Sequence, residues 1–158
     1  MKKYLRMPNF ALDDVDVQLL RLLYKDARIS VADLARAANM SAPSVSERLR
    51  RLKESCIIKS FAVDVDYERL GYRLAFYIRI SPLPGQLSKV VAVIKEIEEI
   101  VECDRITGDD CFIARAYVRS TDELEQVINR LIPYATTNTS LIQSSPVKRR
   151  LPPLAENL

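Results

Sequence analysis

The residues with chemistry to offer gather in one short stretch. Ser41, Pro43, Ser44, Ser46, Glu47, Arg48, Arg50 and Arg51 fall between positions 41 and 51, interleaved with Val45, Leu49 and Leu52 at helical spacing. A helix turns about 100° per residue. With the three apolar residues facing inward, Pro43, Ser44, Glu47, Arg50 and Arg51 face outward, and Ser46 and Arg48 lie on the flanks. The outward face is short and polar at its start and cationic further along. That order suits a helix whose first turn enters the major groove of duplex DNA while arginines reach base edges or phosphates. The plainer reading is a solvated Arg-rich helix face, and the neighbouring elements must decide between the two.

Other chemistries lack their residues. The 158-residue chain contains no histidine, which removes His-based triads, His general bases and His metal sites. Cys56, Cys103 and Cys111 are odd in number and show no CxxC spacing, so they read as reduced, packed thiols rather than a disulfide framework or zinc site. There is no Gly-rich phosphate loop. A small enzyme is therefore disfavoured, and neither a cofactor nor a metal is expected.

Three helices are predicted around the candidate stretch. Val15, Leu19, Leu22 and Leu23 recur at helical spacing over 12–27, with Asp13 as N-cap and Asp16 three residues later. A second helix starts at Ser30, with Asp33 completing a capping-box pattern and Val31, Leu34, Ala35 and Ala38 forming a narrow apolar stripe. Asn39, Met40 and Ser41 break the pattern, and a third helix runs from Ser41 to about Glu54, with Pro43 tolerated in its first turn. Two short helices joined by a tight turn make a helix-turn-helix. The following IIKSFAVDVD is rich in β-branched residues and reads as a strand or short hairpin, a wing in which Lys59 is placed to touch phosphate.

Charge follows the same division. Residues 1–60 hold 12 Lys+Arg against 7 Asp+Glu, whereas residues 61–158 hold 12 against 14. A basic head on a slightly acidic body fits a nucleic-acid-binding module attached to a non-binding one. The first residues, MKKYLRMPNF, lack the apolar run of a signal peptide, and a cytoplasmic protein that spans no membrane is expected.

From Gly71 the period changes to two. Leu74, Phe76, Ile78 and Ile80 alternate with Arg73, Ala75, Tyr77 and Arg79, which predicts a strand with one apolar face. After SPLPGQ, Leu87, Val90, Val91, Ile94 and Ile97 predict a helix. Strands over 101–107 and 111–118 flank a turn at Gly108-Asp109-Asp110. Thr121 or Asp122 caps a second helix, stopped by Pro133, and a last strand lies within 137–147. The order is βαββαβ, a ferredoxin-like arrangement in an α+β chain. Helices cover one face of such a sheet. The other, carrying Ala75 and Tyr77, is expected to be apolar and to meet a second copy, giving at least a homodimer. A two-fold dimer would present two recognition helices about 34–36 Å apart.

Three passages resemble the Lrp/AsnC, or feast/famine, family of prokaryotic transcriptional regulators over nearly the whole chain. LDDVDVQLLRLLYKDARISVADLARAANMSAPSVSERLRRLKESCIIKSF is similar to the family's helix-turn-helix, IEEIVECDRITGDDCFIARAYV to the centre of its regulatory domain, and TSLIQSSPVKRR to its last strand. The resemblance implies a winged helix-turn-helix over 1–60, a linker over 61–71, an effector-binding and oligomerisation domain over 72–150, and a tail over 151–158. It implies homodimers that assemble further, often into octamers, and an amino acid bound between regulatory domains. Carried over by position, Gly108, Asp109 and Asp110 are the effector candidates, with Thr137 and Thr139 behind them. Many relatives have an aromatic residue followed by Asp after the Gly-acidic pair, where this chain has Asp110 and Cys111. The function implied is sequence-specific regulation tuned by an amino acid, the alternative being a nucleoid-type protein that wraps DNA with little effector response.

Overall fold

A computed structural model describes residues 11–108 and 110–154. The chain divides into two compact units. The first runs to Val63 and takes in the chain again from Val147; the second spans Asp64–Pro146.

The first unit is built on three helices, α1 (Asp14–Lys25), α2 (Val31–Ala37) and α3 (Ala42–Glu54). Each starts where a side chain satisfies the orphan N–H groups of the first turn. Asp13 and Asp16 form a reciprocal capping box on α1, Ser30 accepts from the Asp33 amide, and Ser41 accepts from the Ser44 amide. Between α2 and α3, Asn39 takes a left-handed conformation (φ 52°), and the Met40 amide reaches back to the Ala35 carbonyl at 2.9 Å. That contact closes α2 and lets α3 restart at once. Leu19, Leu23, Leu34, Ala35 and Val45 form the core, with Met40 and Leu49 packed against it.

No strand forms over residues 57–66, so the predicted wing is corrected to an irregular segment that joins no ladder. Phe61, Val63 and Val65 are exposed. The β-branched pattern meets the local requirement of a strand, but a strand also needs a neighbour to take its hydrogen bonds.

The second unit runs β1 (Leu74–Pro82), α4 (Leu87–Glu96), β2 (Ile100–Arg105), β3 (Phe112–Val118), α5 (Thr121–Leu131) and β4 (Ala135–Leu141). Its antiparallel sheet has the order β2-β3-β1-β4, the expected ferredoxin-like arrangement. Phe76, Ile78 and Ile80 of β1 and Phe112, Ala114 and Ala116 of β3 meet Val90, Ile94, Val127 and Leu131 of the two helices in one core. Two boundaries move. Ser120, not Thr121 or Asp122, caps α5, its hydroxyl accepting from the Glu123 amide. The last strand starts at Ala135, two residues after Pro133, and ends at Leu141. Among the described residues, no helix is long and apolar enough to cross a membrane.

The uncovered sheet face differs from the expected apolar one. Tyr77 is 40% exposed, Arg79 lies beside it, and Arg115 is stacked between Tyr77 and Tyr117 at 5.9 and 5.2 Å from their ring centroids. Tyr67 stacks on Tyr117 at 4.2 Å. The face is aromatic and cationic, and Ala75 is half-buried.

Candidate nucleic-acid interface and effector turn

The apolar stripe of α3 sets the recognition face. Val45 and Leu52 are fully buried and Leu49 half-buried, so Ser41, Pro43, Ser44, Ser46, Glu47, Arg50 and Arg51 are all exposed. Lys59 is exposed in the segment after α3. The first turn is pre-ordered by a 2.8 Å hydrogen bond between the Ser41 and Ser44 hydroxyls.

Arg48 is the exception. Its guanidinium turns back to α1 and donates to Asp13 at 2.7 Å and Asp16 at 2.8 Å. Its side chain is 22% exposed and that of Asp16 only 5%. Hydrogen bonds from Arg48 to Asp13, then to Asp16, hold the guanidinium protonated more firmly than usual. Arg48 therefore joins two helices, and its place among groove-facing residues is corrected. Flank positions on a helical wheel are ambiguous for long side chains, and the partner carboxylates lie more than 30 residues upstream.

Arg50 is also engaged, though at the surface. It pairs with Glu47 at 2.6 Å and with Glu54 on the next turn, and Glu47 before Glu54 raises its pKa. The bond from Arg50 holds the Glu47 carboxyl below its ordinary value, against a smaller opposing effect of desolvation. Glu47 thus offsets part of the positive charge on this face of α3.

At the other candidate site, Gly108 has φ +118°, a conformation that favours glycine, and a Cβ there would meet nothing within 4 Å. Asp109 lies outside the described residues. Asp110 accepts from the Ser81 hydroxyl at 2.9 Å, and its second oxygen lies 3.9 Å from Arg79 Nε. Arg79 also donates to Asn138 at 2.8 Å. Arg79, Ser81 and Asn138 are thus polar groups near the turn that the sequence reading passed over. In the sequence Arg79 shows only as an outward strand position, and no local pattern marks its long-range partners.

Thr137 and Thr139 are not brought to Asp110. From β4 they pair with Ile80 and Ile78 of β1, whose side chains face the helices, while Arg79 and Asn138 pair on the opposite face. A cavity of about 480 Å³ in this unit lies elsewhere, lined by residues including Tyr67, Tyr72, Tyr117, Glu99 and Arg119. The three cysteines are free, and Cys56 is exposed rather than packed.

A capped three-helix head with an exposed polar and cationic third helix, followed by a βαββαβ domain, is the architecture of a helix-turn-helix DNA-binding regulator. Residues 12–53 match the AsnC-type helix-turn-helix domain, and residues 75–152 match the Lrp/AsnC ligand binding domain. The HTH-type transcriptional regulator LrpC of Bacillus subtilis (strain 168) is 32% identical over 84% of this chain and 92% of its own length. Its structure superposes with a TM-score of 0.83 at 31% identity, over 87% of this chain and 99% of that one. The feast or famine regulatory protein of M. tuberculosis complexed with L-methionine is 28% identical, with a TM-score of 0.82 over 89% of this chain and 98% of that one. The chain belongs to the Lrp/AsnC family of transcriptional regulators.

Proposed function

We propose that this regulator reads specific DNA sequences through α3 and shifts its assembly when an amino acid binds between the regulatory domains of two copies. The observation that carries the first part is the exposed, pre-ordered start of α3. Ser41, Pro43, Ser44, Ser46 and Glu47 lie ahead of the cations Arg50 and Arg51 on one face, and Lys59 follows as a phosphate contact. Arg48 acts at one remove, fixing the angle of α3 against α1. The second part rests on the Gly108 turn with Asp110, and it is supported by the relative whose structure holds L-methionine. The Gly108 turn offers backbone N–H groups to a carboxylate and Asp110 offers an acceptor to an ammonium. Asp109 belongs to the same proposed turn, with Thr137 and Thr139 as contributors only across a copy-to-copy interface.

The protein works as a homodimer or a higher assembly such as an octamer, in the cytoplasm and on the nucleoid. For a ligand to shift the assembly it must prefer one state, since equal affinity shifts nothing. The test has two arms. Anisotropy titrations at fixed salt compare a duplex selected by the protein from a random pool with a scrambled duplex, and a ratio of at least about 10³ is expected. A ratio near one would replace sequence reading with architectural wrapping. Thermal-shift measurements with each of the twenty amino acids, followed by sizing with the best one, test the effector arm. No shift with any of them would remove it.

A further inference from the structure

The two structural units separate charge more sharply than the sequence halves do. The chain up to Val63 and from Val147 onward holds 15 Lys+Arg against 8 Asp+Glu, a net of +7. The span 64–146 holds 9 against 13, a net of −4. The returning C-terminal segment brings Lys148, Arg149 and Arg150, all exposed, into the basic unit.

That segment is anchored to α1. Tyr24 Oη donates to the Arg149 carbonyl at 2.7 Å. Arg21 of α1 and Arg150, with Leu151, Pro152, Pro153 and Leu154, line a cavity of about 450 Å³. Among the described residues, neither Arg21 nor Arg150 has a carboxylate partner and no acidic residue lines the cavity.

Two arginines lining one open concavity, with no carboxylate beside them among the described residues, have the chemistry of a phosphate seat. We infer that Arg21 and Arg150, with Lys148 and Arg149 beside them, bind the DNA backbone as a contact separate from the recognition helix. An open, exposed notch on the unit of net +7 suits phosphates presented along a polyanion. A free anion would remain largely hydrated there. These contacts carry no sequence information; they add affinity through counterion release. The inference rests on the DNA-binding reading above.

The test is the double variant Arg21→Ala/Arg150→Ala in the full chain, with duplex affinity measured by anisotropy over a salt series on the selected and scrambled duplexes. Each lost phosphate contact lowers the slope of log Kobs against log [salt] by about 0.9, so a decrease of about 1.8 is expected. The loss should be equal on both duplexes. Tyr24→Phe, which releases the anchor while leaving both arginines, should give a smaller decrease in the same direction. An unchanged slope in the double variant overturns the seat. An unchanged slope together with thermal stabilisation of the wild type by inorganic phosphate also overturns it, by assigning the notch to a small anion. Failure of the wild type to bind either duplex would instead remove the DNA reading itself.

Discussion

The guanidinium of Arg48 stands 2.8 Å from Oδ1 of Asp16, a carboxylate whose side chain is only 5% exposed. The same nitrogen lies 2.7 Å from Asp13, the N-cap of α1. One arginine of the recognition helix thus completes the polar start of the first helix, and the capping box is held from both sides. Removing one partner of such a pair leaves a buried charge uncompensated, which costs more than the intact pair contributes.

Arg48→Met is therefore expected to destabilise the head by about 2–3 kcal/mol, below the range for fully buried pairs because Asp13 is half exposed. Urea unfolding should show a lower midpoint with an unchanged m-value. Arg48→Lys should rescue in part, since a single nitrogen meets both carboxylates and an ammonium keeps the charge and the donors, on a shorter side chain. A midpoint unchanged in Arg48→Met would show that α3 is fixed by its apolar stripe alone.

The same cluster sets an acid limit. Burial acts to raise the Asp13 pKa, but the Asp16 amide and the Arg48 guanidinium outweigh it and hold the carboxyl below its ordinary value of 3.8. A group whose folded pKa is depressed contributes stability above the unfolded value and loses it as pH falls through the folded one. Head stability should thus be flat above about pH 5 and fall below pH 4. Asp13→Asn should be less stable at neutral pH and flatter on the acid side. Thermal melts across pH 2.5–7 would read this, and parallel acid limbs in the two proteins would count against Asp13.

Arg48 also marks where the sequence stops being legible. Val45, Leu49 and Leu52 fixed which side of α3 turns inward, and Ser41 fixed where it begins, because both signals are local. The wheel could place Arg48 only on a flank. Its destination depended on an α1 carboxylate 32 residues away. The wing failed for a related reason: alternation in 57–66 is a local property, but a ladder needs a partner. The ferredoxin-like order was readable because each strand and helix there carries its own period. The face on which Thr137 and Thr139 lie was not legible either, because it depends on strand register, which puts them on the side of Ile78 and Ile80 rather than of Arg79 and Asn138.

Glu47 should act as a brake on DNA affinity. It pairs with Arg50 at 2.6 Å on the exposed face of α3. Glu47→Ala removes a negative charge next to the DNA and frees Arg50 from one of its two carboxylates. Affinity for scrambled duplex should rise, with the salt slope steeper by up to about 0.9, the value of one added phosphate contact. Discrimination between selected and scrambled duplexes should fall if the carboxylate accepts from a cytosine amine. A weaker, shallower salt dependence would mean that Arg50 needs Glu47 to be positioned.

Arg51 is exposed on the same face, one residue beyond Arg50. Arg51→Ala should weaken duplex binding, and the manner of the loss identifies its contact. A slope lower by about 0.9 on every duplex marks a phosphate contact. A loss of about 1–3 kcal/mol confined to the selected duplex marks a guanine read in the major groove. Equal affinity and slope in both proteins would take Arg51 out of the interface.

Asp110 gives the sharpest test of the proposed effector turn because its ion pair is weak. Its ion pair with Arg79 spans 3.9 Å between side chains 31% and 48% exposed, a geometry worth less than about 1 kcal/mol. Losing it will not unfold the domain. An amino acid at about 100 times its Kd stabilises the folded protein by about 2.7 kcal/mol, enough to raise Tm by several degrees. Asp110→Ala should abolish that rise while leaving duplex affinity in place. Asp110→Asn separates two causes: it keeps an oxygen to accept from Ser81 but loses the charge that would hold an ammonium. Loss of the rise in both variants assigns Asp110 to the ligand's amine. Loss in Asp110→Ala alone assigns it to the 2.9 Å bond that ties the turn to Ser81, with the amine bound elsewhere. A full response in both would move the effector site away from this turn.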